Sequence, residues 1–409
     1  MTKQFSGVDF ADIEDEHIVE LFKDMAGNDR PTVKANMFDW PNPTSIPPRP
    51  WILGEHILQR ELTVIAAKGG TGKTALSLGI VVSLITGRAC IGLPVYGGPR
   101  KTWLYNLEES MEELSRLIAA TGKYHGIDES AHRENLFVNS GVDEPLITAT
   151  ESRDGLTIAE PVYDALKVAI QERGIEVFMV DPFVSSHQIN ENDNTRIDAV
   201  AKRWKRLAAE TNCAVVLVHH SSKTRGGDSS VEDARGASAL IDAARIGIAM
   251  NKVSAADAER HCIPAEDAKA IVRIDMGKAN KSAGAGSKYM RFQSVSLGNG
   301  LVPDCIGVLE PYALPDALTD ITARHVYETQ QIIKLGNYRE NVQADDWAGK
   351  VVAEVTGMCA DADKKKVSRI LKTWVSNGAF RVEKSKTEKG RTSPYVRVDR
   401  EVDPNDITT

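Results

Sequence analysis

Long apolar blocks alternate with helically patterned segments over the middle of the chain. Four nearly unbroken apolar runs predict buried parallel strands over 62–67, 102–107, 175–181 and 213–219. Apolar residues at helical spacing predict the intervening helices over 73–87, 109–122, 160–173 and 195–211. Weaker strand patterns follow over 245–250, 270–277, 289–296 and 304–310. The alternation indicates an α/β domain, a doubly wound and mostly parallel sheet over 51–315.

The two ends of the chain follow other patterns. Within residues 1–40, nine acidic residues outnumber four basic ones, and a proline-rich stretch then runs to residue 50. We expect 1–50 to be an acidic arm and a linker, and the arm is either flexible or a docking segment for a neighbouring subunit.

Residues 320–400 have the pattern of a small separate domain. Helices are predicted over 321–334, 343–356 and 363–377, and short strands over 379–383 and 395–398. Three helices followed by a hairpin predict a winged helix-turn-helix. The tail, 401–409, is expected to be disordered.

Composition narrows the class of protein. The net charge of −7 over 409 residues means that any nucleic-acid site must be a local basic patch. The five scattered cysteines lack metal or redox spacing, and no apolar run reaches the length of a membrane span. These features predict a cytoplasmic protein without membrane association.

A glycine-rich phosphate loop joins the first predicted strand to the first helix. Its backbone N–H groups would surround a phosphate chain at a helix N-terminus, Lys73 would reach the terminal phosphates, and Thr74 would ligate Mg²⁺. The motif normally begins with glycine, where this chain has Ala67. ATP and Mg²⁺ are therefore the predicted cofactors. The predicted nucleotide-binding residues are Ala67, Lys68, Gly69, Gly70, Thr71, Gly72, Lys73 and Thr74.

Acidic residues follow two other predicted strands, at the edge where ligands bind in such sheets. Asp181 ends its strand and is the expected second metal residue, acting directly or through water. The next residue, Pro182, cannot act as a base. The residue that orients the attacking water is therefore sought at Glu108, with Glu109 as the alternative. Either acid could instead only favour the start of a helix.

Two adjacent histidines end another apolar strand. His219 or His220 could sense the terminal phosphate by hydrogen bonding, although a histidine at a strand end is also an ordinary structural residue. Neighbouring side chains on a strand point to opposite faces, which argues against a shared zinc ion.

Several basic residues are candidates for contacts outside the nucleotide site. Lys278 or Lys281 could act as a finger that reaches a neighbouring subunit's nucleotide, and Lys223 and Arg225 lie in a polar loop that could contact DNA. The alternative is that these are ordinary solvent-exposed residues.

The last segment carries a strong positive charge, with twelve basic and three acidic residues over 364–400. Such a patch favours phosphate contacts, although a solvated face or a protein-docking surface stays open. The DNA-binding candidates here are Lys364, Lys365, Lys366, Arg369, Lys384 and Lys386.

Taken together, these motifs resemble the RecA-like P-loop ATPases of the plasmid RepA type. The matching segments occur in the family's order and are 67–74, 105–109, 180–182, 218–223, 234–238 and 277–280. The resemblance implies a homo-hexameric ring with nucleotide between subunits, which moves on single-stranded DNA. It also implies a replicative helicase of a plasmid, phage or mobile element, with a catalytic acid after the second strand.

A second hypothesis is a regulator that binds duplex DNA through the winged helix and assembles without unwinding. A recombinase-like filament is a third.

Overall fold

A computed structural model describes residues 35–153, 155–220, 237–261, 263–279, 286–315, 318, 321–386 and 392–403, with backbone only at 237–238 and 277–279. The chain divides into two units, Met1–Arg49 and Pro50–Thr409. The described part of the first unit contains a single 3₁₀ turn, Pro43–Ser45. Most of the predicted acidic arm and the end of the tail lie outside the described residues. None of the described helices combines the length and apolar character that a bilayer crossing requires.

The second unit contains all the strands and α-helices of the described residues. The strands are β1 (Trp51–Leu53), β2 (Ile57–Leu58), β3 (Leu62–Ala67), β4 (Thr102–Asn106), β5 (Leu136–Ser140), β6 (Ala149–Ser152), β7 (Gly155–Ile158), β8 (Val177–Asp181), β9 (Ala214–His220), β10 (Ile246–Lys252), β11 (Ile271–Ala279), β12 (Lys288–Ser296), β13 (Cys305–Pro311), β14 (Tyr338–Arg339), β15 (Phe380–Lys386) and β16 (Thr392–Val398).

The helices are α1 (Lys73–Thr86), α2 (Met111–His125), α3 (Glu129–His132), α4 (Glu160–Arg173), α5 (Asn194–Thr211), α6 (Ala237–Ala243), α7 (Ala255–Arg260), α8 (Ala265–Ala268), α9 (Ala323–Leu335), α10 (Ala348–Thr356) and α11 (Lys364–Ser376).

Nine strands form the central sheet, in the order β13-β12-β11-β10-β3-β9-β8-β4-β5. Neighbours from β5 to β10 pair in parallel, and β10 to β13 pair antiparallel. The predicted α/β fold with a mostly parallel, RecA-like sheet is therefore confirmed. The sequence did not predict edge strand β5, whose residues are mostly only half-buried and give a weaker apolar signal.

Alternate residues of the buried strands pack into two cores, one on each face of the sheet. Ile65 and Val218 face α1, whereas Val64 and Leu217 face the opposite core, which contains Trp204 of α5. This alternation decides which side chains at the strand ends reach the phosphate loop.

The C-terminal module packs α9, α10 and α11 against a small sheet of order β14-β16-β15. Trp347, Val367 and Trp374 are among its buried residues. The helix predicted over 343–356 begins only at Ala348, because residues 342–346 form turns that are closed by the Arg339 N–H bond to Asp346 O at 2.8 Å. The winged helix-turn-helix assignment stays a prediction.

Candidate nucleotide-binding site

The carboxyl ends of four parallel strands meet at one edge of the central sheet. Ala67 at the end of β3 is in register with His220 of β9. Asn106 at the end of β4 is in register with Asp181 of β8. The residues that the sequence singled out on separate strands therefore become neighbours, as the topology of parallel sheets requires.

The phosphate loop leaves β3 and enters α1 through two left-handed glycines. Gly70 has φ of 68° and Gly72, the residue before α1, has φ of 99°. Glycine adopts these angles without the steric penalty of a side chain. The Thr71 hydroxyl donates to Lys68 O at 2.7 Å and tightens the turn. The first N–H groups of a helix have no partner within the helix, so the start of α1 is a position that favours anions.

A phenylalanine from a distant strand closes one side of the loop. A Cβ atom built on Gly72 would lie 2.2 Å from Cζ of Phe292, a residue of β12. Phe292 therefore packs directly on the loop, and residue 72 must be glycine for two independent reasons. Phe292 was not predictable from the sequence, because an apolar residue in a strand carries no motif.

Lys73, the first residue of α1, is buried and points to the neighbouring strand end. Its Nζ atom lies 2.8 Å from Nδ1 of His220 and 3.5 Å from the carbonyl oxygen of Lys68. Burial lowers the pKa of Lys73, whereas the charges of Asp181 and Glu108 oppose the shift. The ammonium group thus stands at the mouth of the loop, between the acids.

Asp181 is a buried carboxyl group beside α1. Its Oδ2 atom accepts a hydrogen bond from the Ser77 hydroxyl at 3.2 Å, and Thr74, the second residue of α1, is near enough to lower its pKa. Burial raises the pKa of Asp181 to about 6, against the opposing effects of Ser77, Lys73 and Thr74. Ser77, which lies one helical turn after Lys73, was not predicted from the sequence.

The Thr74 hydroxyl and Asp181 carboxylate fit a magnesium ion that takes its other ligands from phosphates and water. Within the described residues no group of three or more His, Cys, Asp or Glu side chains could hold a metal by itself.

Asn106 holds the two candidate acids after β4. Its Oδ1 atom accepts the backbone N–H groups of Glu108 at 3.1 Å and Glu109 at 2.8 Å. The Ser140 hydroxyl donates to Glu109 O at 2.8 Å. Of the two acids, Glu108 is brought toward the loop, with its Oε1 atom 3.8 Å from Nε2 of His220. Asn106 was not singled out from the sequence.

The two histidines point to opposite faces of the sheet. His220 contacts both Lys73 and Glu108. His219 lies in the other core beside the Phe183 ring, with Nδ1 4.0 Å from Glu191 Oε1, and burial lowers its pKa to about 4. His220 is therefore the histidine that reaches the phosphate loop.

A cavity of about 640 Å³ continues from the loop to the end of β10. Lys68, Gly69 and Thr71 line one side, and Asn251 and Lys252 belong to the other. A cavity of about 700 Å³ between α1, α2 and β5 does not include the phosphate loop among its lining residues.

The remaining predicted residues are the candidates for the finger and for DNA contacts. The Lys278 backbone lies in β11, while its side chain, Lys281, Lys223 and Arg225 lie outside the described residues. The six basic candidates of the C-terminal module fall on two elements. Lys364, Lys365, Lys366 and Arg369 lie on α11, and Lys384 and Lys386 lie on β15.

Two comparisons with known proteins bear on this description. Residues 28–226, slightly less than half of the chain, match the family model of an AAA domain. A solved structure titled as a DnaB-like replicative helicase and its interactions with primase is similar at 16% identity, with a TM-score of 0.40. The match covers 57% of this chain and 55% of that chain, so this chain spans about half of that protein's length. A likeness at this level transfers no function.

The fold and the site together define a RecA-like α/β domain with a phosphate loop, and the AAA-domain match spans that loop.

Proposed function

We propose that this protein is an ATP-hydrolysing motor that assembles as a ring and acts on single-stranded DNA. The observation that carries the proposal is the contact chain Lys73–His220–Glu108 at the mouth of the phosphate loop, beside buried Asp181. These are the parts that phosphoryl transfer needs: a cation for the phosphates, a metal residue and an acid that can orient water.

The phosphate chain of ATP would bind the N–H groups of the loop and the start of α1. Lys73 would turn from His220 to the β- and γ-phosphates, since a phosphate oxygen is a stronger partner for ammonium than neutral imidazole. Thr74 and Asp181 would hold Mg²⁺, which supplies charge neutralisation at the phosphates when it is bound. Binding of the metal requires Asp181 to be deprotonated.

Glu108 would orient the water that attacks the terminal phosphate. Asn106 fixes the backbone of this turn through its two accepted hydrogen bonds, so the acid is held in place by a rigid strand end. His220 would detect whether Lys73 is engaged with phosphate, and β9 would transmit that state to the segment that follows residue 220.

The adenosine end would occupy the cavity between the loop and the end of β10. Its volume of about 640 Å³ lies in the range of small-molecule sites, and the side chains of Asn251 and Lys252 can hydrogen-bond to a base or ribose. A homo-hexamer with the nucleotide between subunits would bring a finger, Lys278 or Lys281, from the neighbouring protomer.

The proposal is tested by ATP hydrolysis with and without single-stranded DNA, for the wild type and for Lys73→Ala. We expect DNA to stimulate the wild type and the variant to lose hydrolysis by at least about a hundredfold, the scale of removing one preorganised charge. Normal hydrolysis by Lys73→Ala would contradict the assigned site.

One observation favours a second candidate function. The C-terminal module carries twelve basic residues against three acidic ones over 364–400, and it could bind duplex DNA as a nucleotide-switched regulator that does not unwind it. ATP-dependent strand displacement is expected only of the motor.

A further inference from the structure

A groove of about 640 Å³ lies between the end of α7, in the sheet domain, and one face of α11, in the C-terminal module. Arg260 and His261 line it from the α7 side. Lys365, Arg369 and Lys372 are among the residues that line it from α11. The groove therefore has walls from two parts of the chain that the sequence analysis treated as separate domains.

The α7 wall is anchored to the central sheet. The Ser254 hydroxyl caps the helix by accepting the Asp257 N–H at 3.0 Å. Arg273 of β11 forms ion pairs with the Asp257 carboxylate and, at 2.9 Å, with Asp275. A half-buried arginine with several charge-assisted bonds restricts movement, so Arg260 and His261 extend from a fixed base.

The α11 wall presents the basic face of an amphipathic helix. Val367, Ile370 and Trp374 are buried in the core of the module, which turns Lys365, Arg369 and Lys372 toward the groove. Residues at i, i+4 and i+7 share one side of a helix. At 1.5 Å per residue they form a row of cations about 10 Å long.

Two contacts cross the groove and set its width. Nζ of Lys365 lies 2.9 Å from Oε1 of Glu259, and Nη1 of Arg369 donates to the carbonyl oxygen of Arg260 at 3.1 Å. Both contacts join the wall formed by α7 to the wall formed by α11.

The charge of the groove is strongly unbalanced. Among the described residues, five lysines and arginines line it against one acid, Glu259, in a protein whose net charge is −7. An acidic peptide would also need apolar anchors to bind, and Val342 is the one aliphatic residue among the described residues of the lining. A regular row of cations without an apolar floor favours a phosphate backbone instead.

We propose that this groove binds the sugar–phosphate backbone of a single DNA strand and so couples the C-terminal module to the ATPase domain. The inference rests on the proposed action on DNA, but it names a site that the phosphate loop and the polar loop after β9 do not include. Glu259 acts as an internal competitor, because it holds Lys365 until a phosphate replaces it.

The test measures binding of a fluorescently labelled oligo-dT strand to the full-length protein by anisotropy over a range of salt concentrations. Arg260→Ala/Lys372→Ala removes one cation from each wall. Lys202→Ala/Lys205→Ala removes the same charge from the exposed face of α5 and serves as the matched control. Thermal melting of each variant separates a lost contact from a lost fold.

We expect the groove variant to bind at least about tenfold more weakly, and the slope of log K against log salt to fall by about one for each lost cation. The control should change both values much less. Glu259→Gln should bind more tightly than the wild type, because it frees Lys365. If the substitution only loosened the contact between the two walls, the variant would bind the strand more weakly than the wild type.

If the wild type binds the strand but the groove variant has the same affinity and salt slope as the control variant, the groove assignment is wrong. Weaker binding by Glu259→Gln would likewise overturn it. A wild type that binds no single-stranded DNA would overturn both this inference and the proposed function.

Discussion

The Nδ1 atom of His220 lies 2.8 Å from the Nζ atom of Lys73. Burial, followed by the charge of Lys73, lowers the pKa of His220, so the ring is neutral at pH 7 and its Nδ1 atom accepts a hydrogen bond from the ammonium group. The histidine thus holds the lysine in the position from which it would move to phosphate. His220 is a positioning residue in this account, not a reacting one.

Replacement of His220 should separate nucleotide binding from turnover. We expect His220→Ala to lower kcat by about tenfold or more while KM for ATP changes by only a few-fold, since the phosphate loop itself is intact. His220→Gln should recover part of the loss, because its amide oxygen can accept from Lys73. Steady-state kinetics of both variants check this, and equal losses in Ala and Gln would contradict the hydrogen-bond role.

The two acids after β4 should differ sharply in effect. Glu108 approaches His220, and its charge raises the pKa of both Lys73 and Asp181, whereas the Glu109 backbone is held by Asn106 and Ser140. Glu108→Gln should lower turnover by about 10²–10⁴ and keep ATP binding, as expected for loss of a general base. Glu109→Gln should stay within a few-fold of the wild type. Single-turnover hydrolysis measures both variants. A larger loss in Glu109→Gln than in Glu108→Gln would assign the role of general base to Glu109.

Asp181 should make magnesium-dependent nucleotide binding sensitive to acid. The pKa of this group is raised to about 6 from 3.8, so the carboxyl group becomes protonated as pH falls through about 6. Because Mg²⁺ binds the deprotonated form, affinity for Mg·ATP should fall below that pH. The nucleotide phosphate titrates in the same range, so the Asp181→Asn variant in parallel isolates the protein's contribution.

The raised pKa of Asp181 also affects the stability of the protein without ligand. A raised folded-state pKa favours the folded protein below the unfolded value of 3.8, and this contribution is lost as pH rises through about 6. Asp181→Asn should therefore raise the free energy of unfolding at pH 7.5 by up to about 3 kcal/mol, with the gain vanishing near pH 4. Denaturant unfolding at the two pH values checks this, and an equal effect at both would contradict the assigned burial cost.

Gly72 should tolerate no side chain. Its φ of 99° strains any other residue, and a Cβ atom would meet Phe292. Gly72→Ala should weaken ATP binding by at least about tenfold, consistent with a backbone strain of about 1–3 kcal/mol. Addition of Phe292→Ala should restore only part of the affinity, because the strain remains. Gly69→Ala is the comparison, since that position has open space around it, and its loss should be smaller.

Much of this site was predictable because its residues sit at strand ends. Apolar runs located β3, β8 and β9, and the sheet topology then brought Lys73, Asp181 and His220 together. Sequence alone left His219 and His220 equivalent. The alternation of side chains across β9 distinguishes them, since it depends on which face carries α1.

Other parts could not be predicted from local pattern. Ser77, Asn106 and Phe292 have ordinary residue types, and their positions matter only through contacts with residues distant in sequence. The groove between α7 and α11 is a further case, because Arg260 and Lys365 carry no shared motif. Predictions on Lys223, Arg225 and Lys281 fall outside the described residues and stay open.

The most direct test of the account is ATP-dependent displacement of a labelled strand from a forked duplex. The motor proposal predicts displacement by the wild type with Mg·ATP, none with a non-hydrolysable analogue, and none by Glu108→Gln although that variant still binds ATP. Hydrolysis of ATP stimulated by DNA without any strand displacement would contradict the motor and favour the nucleotide-switched regulator.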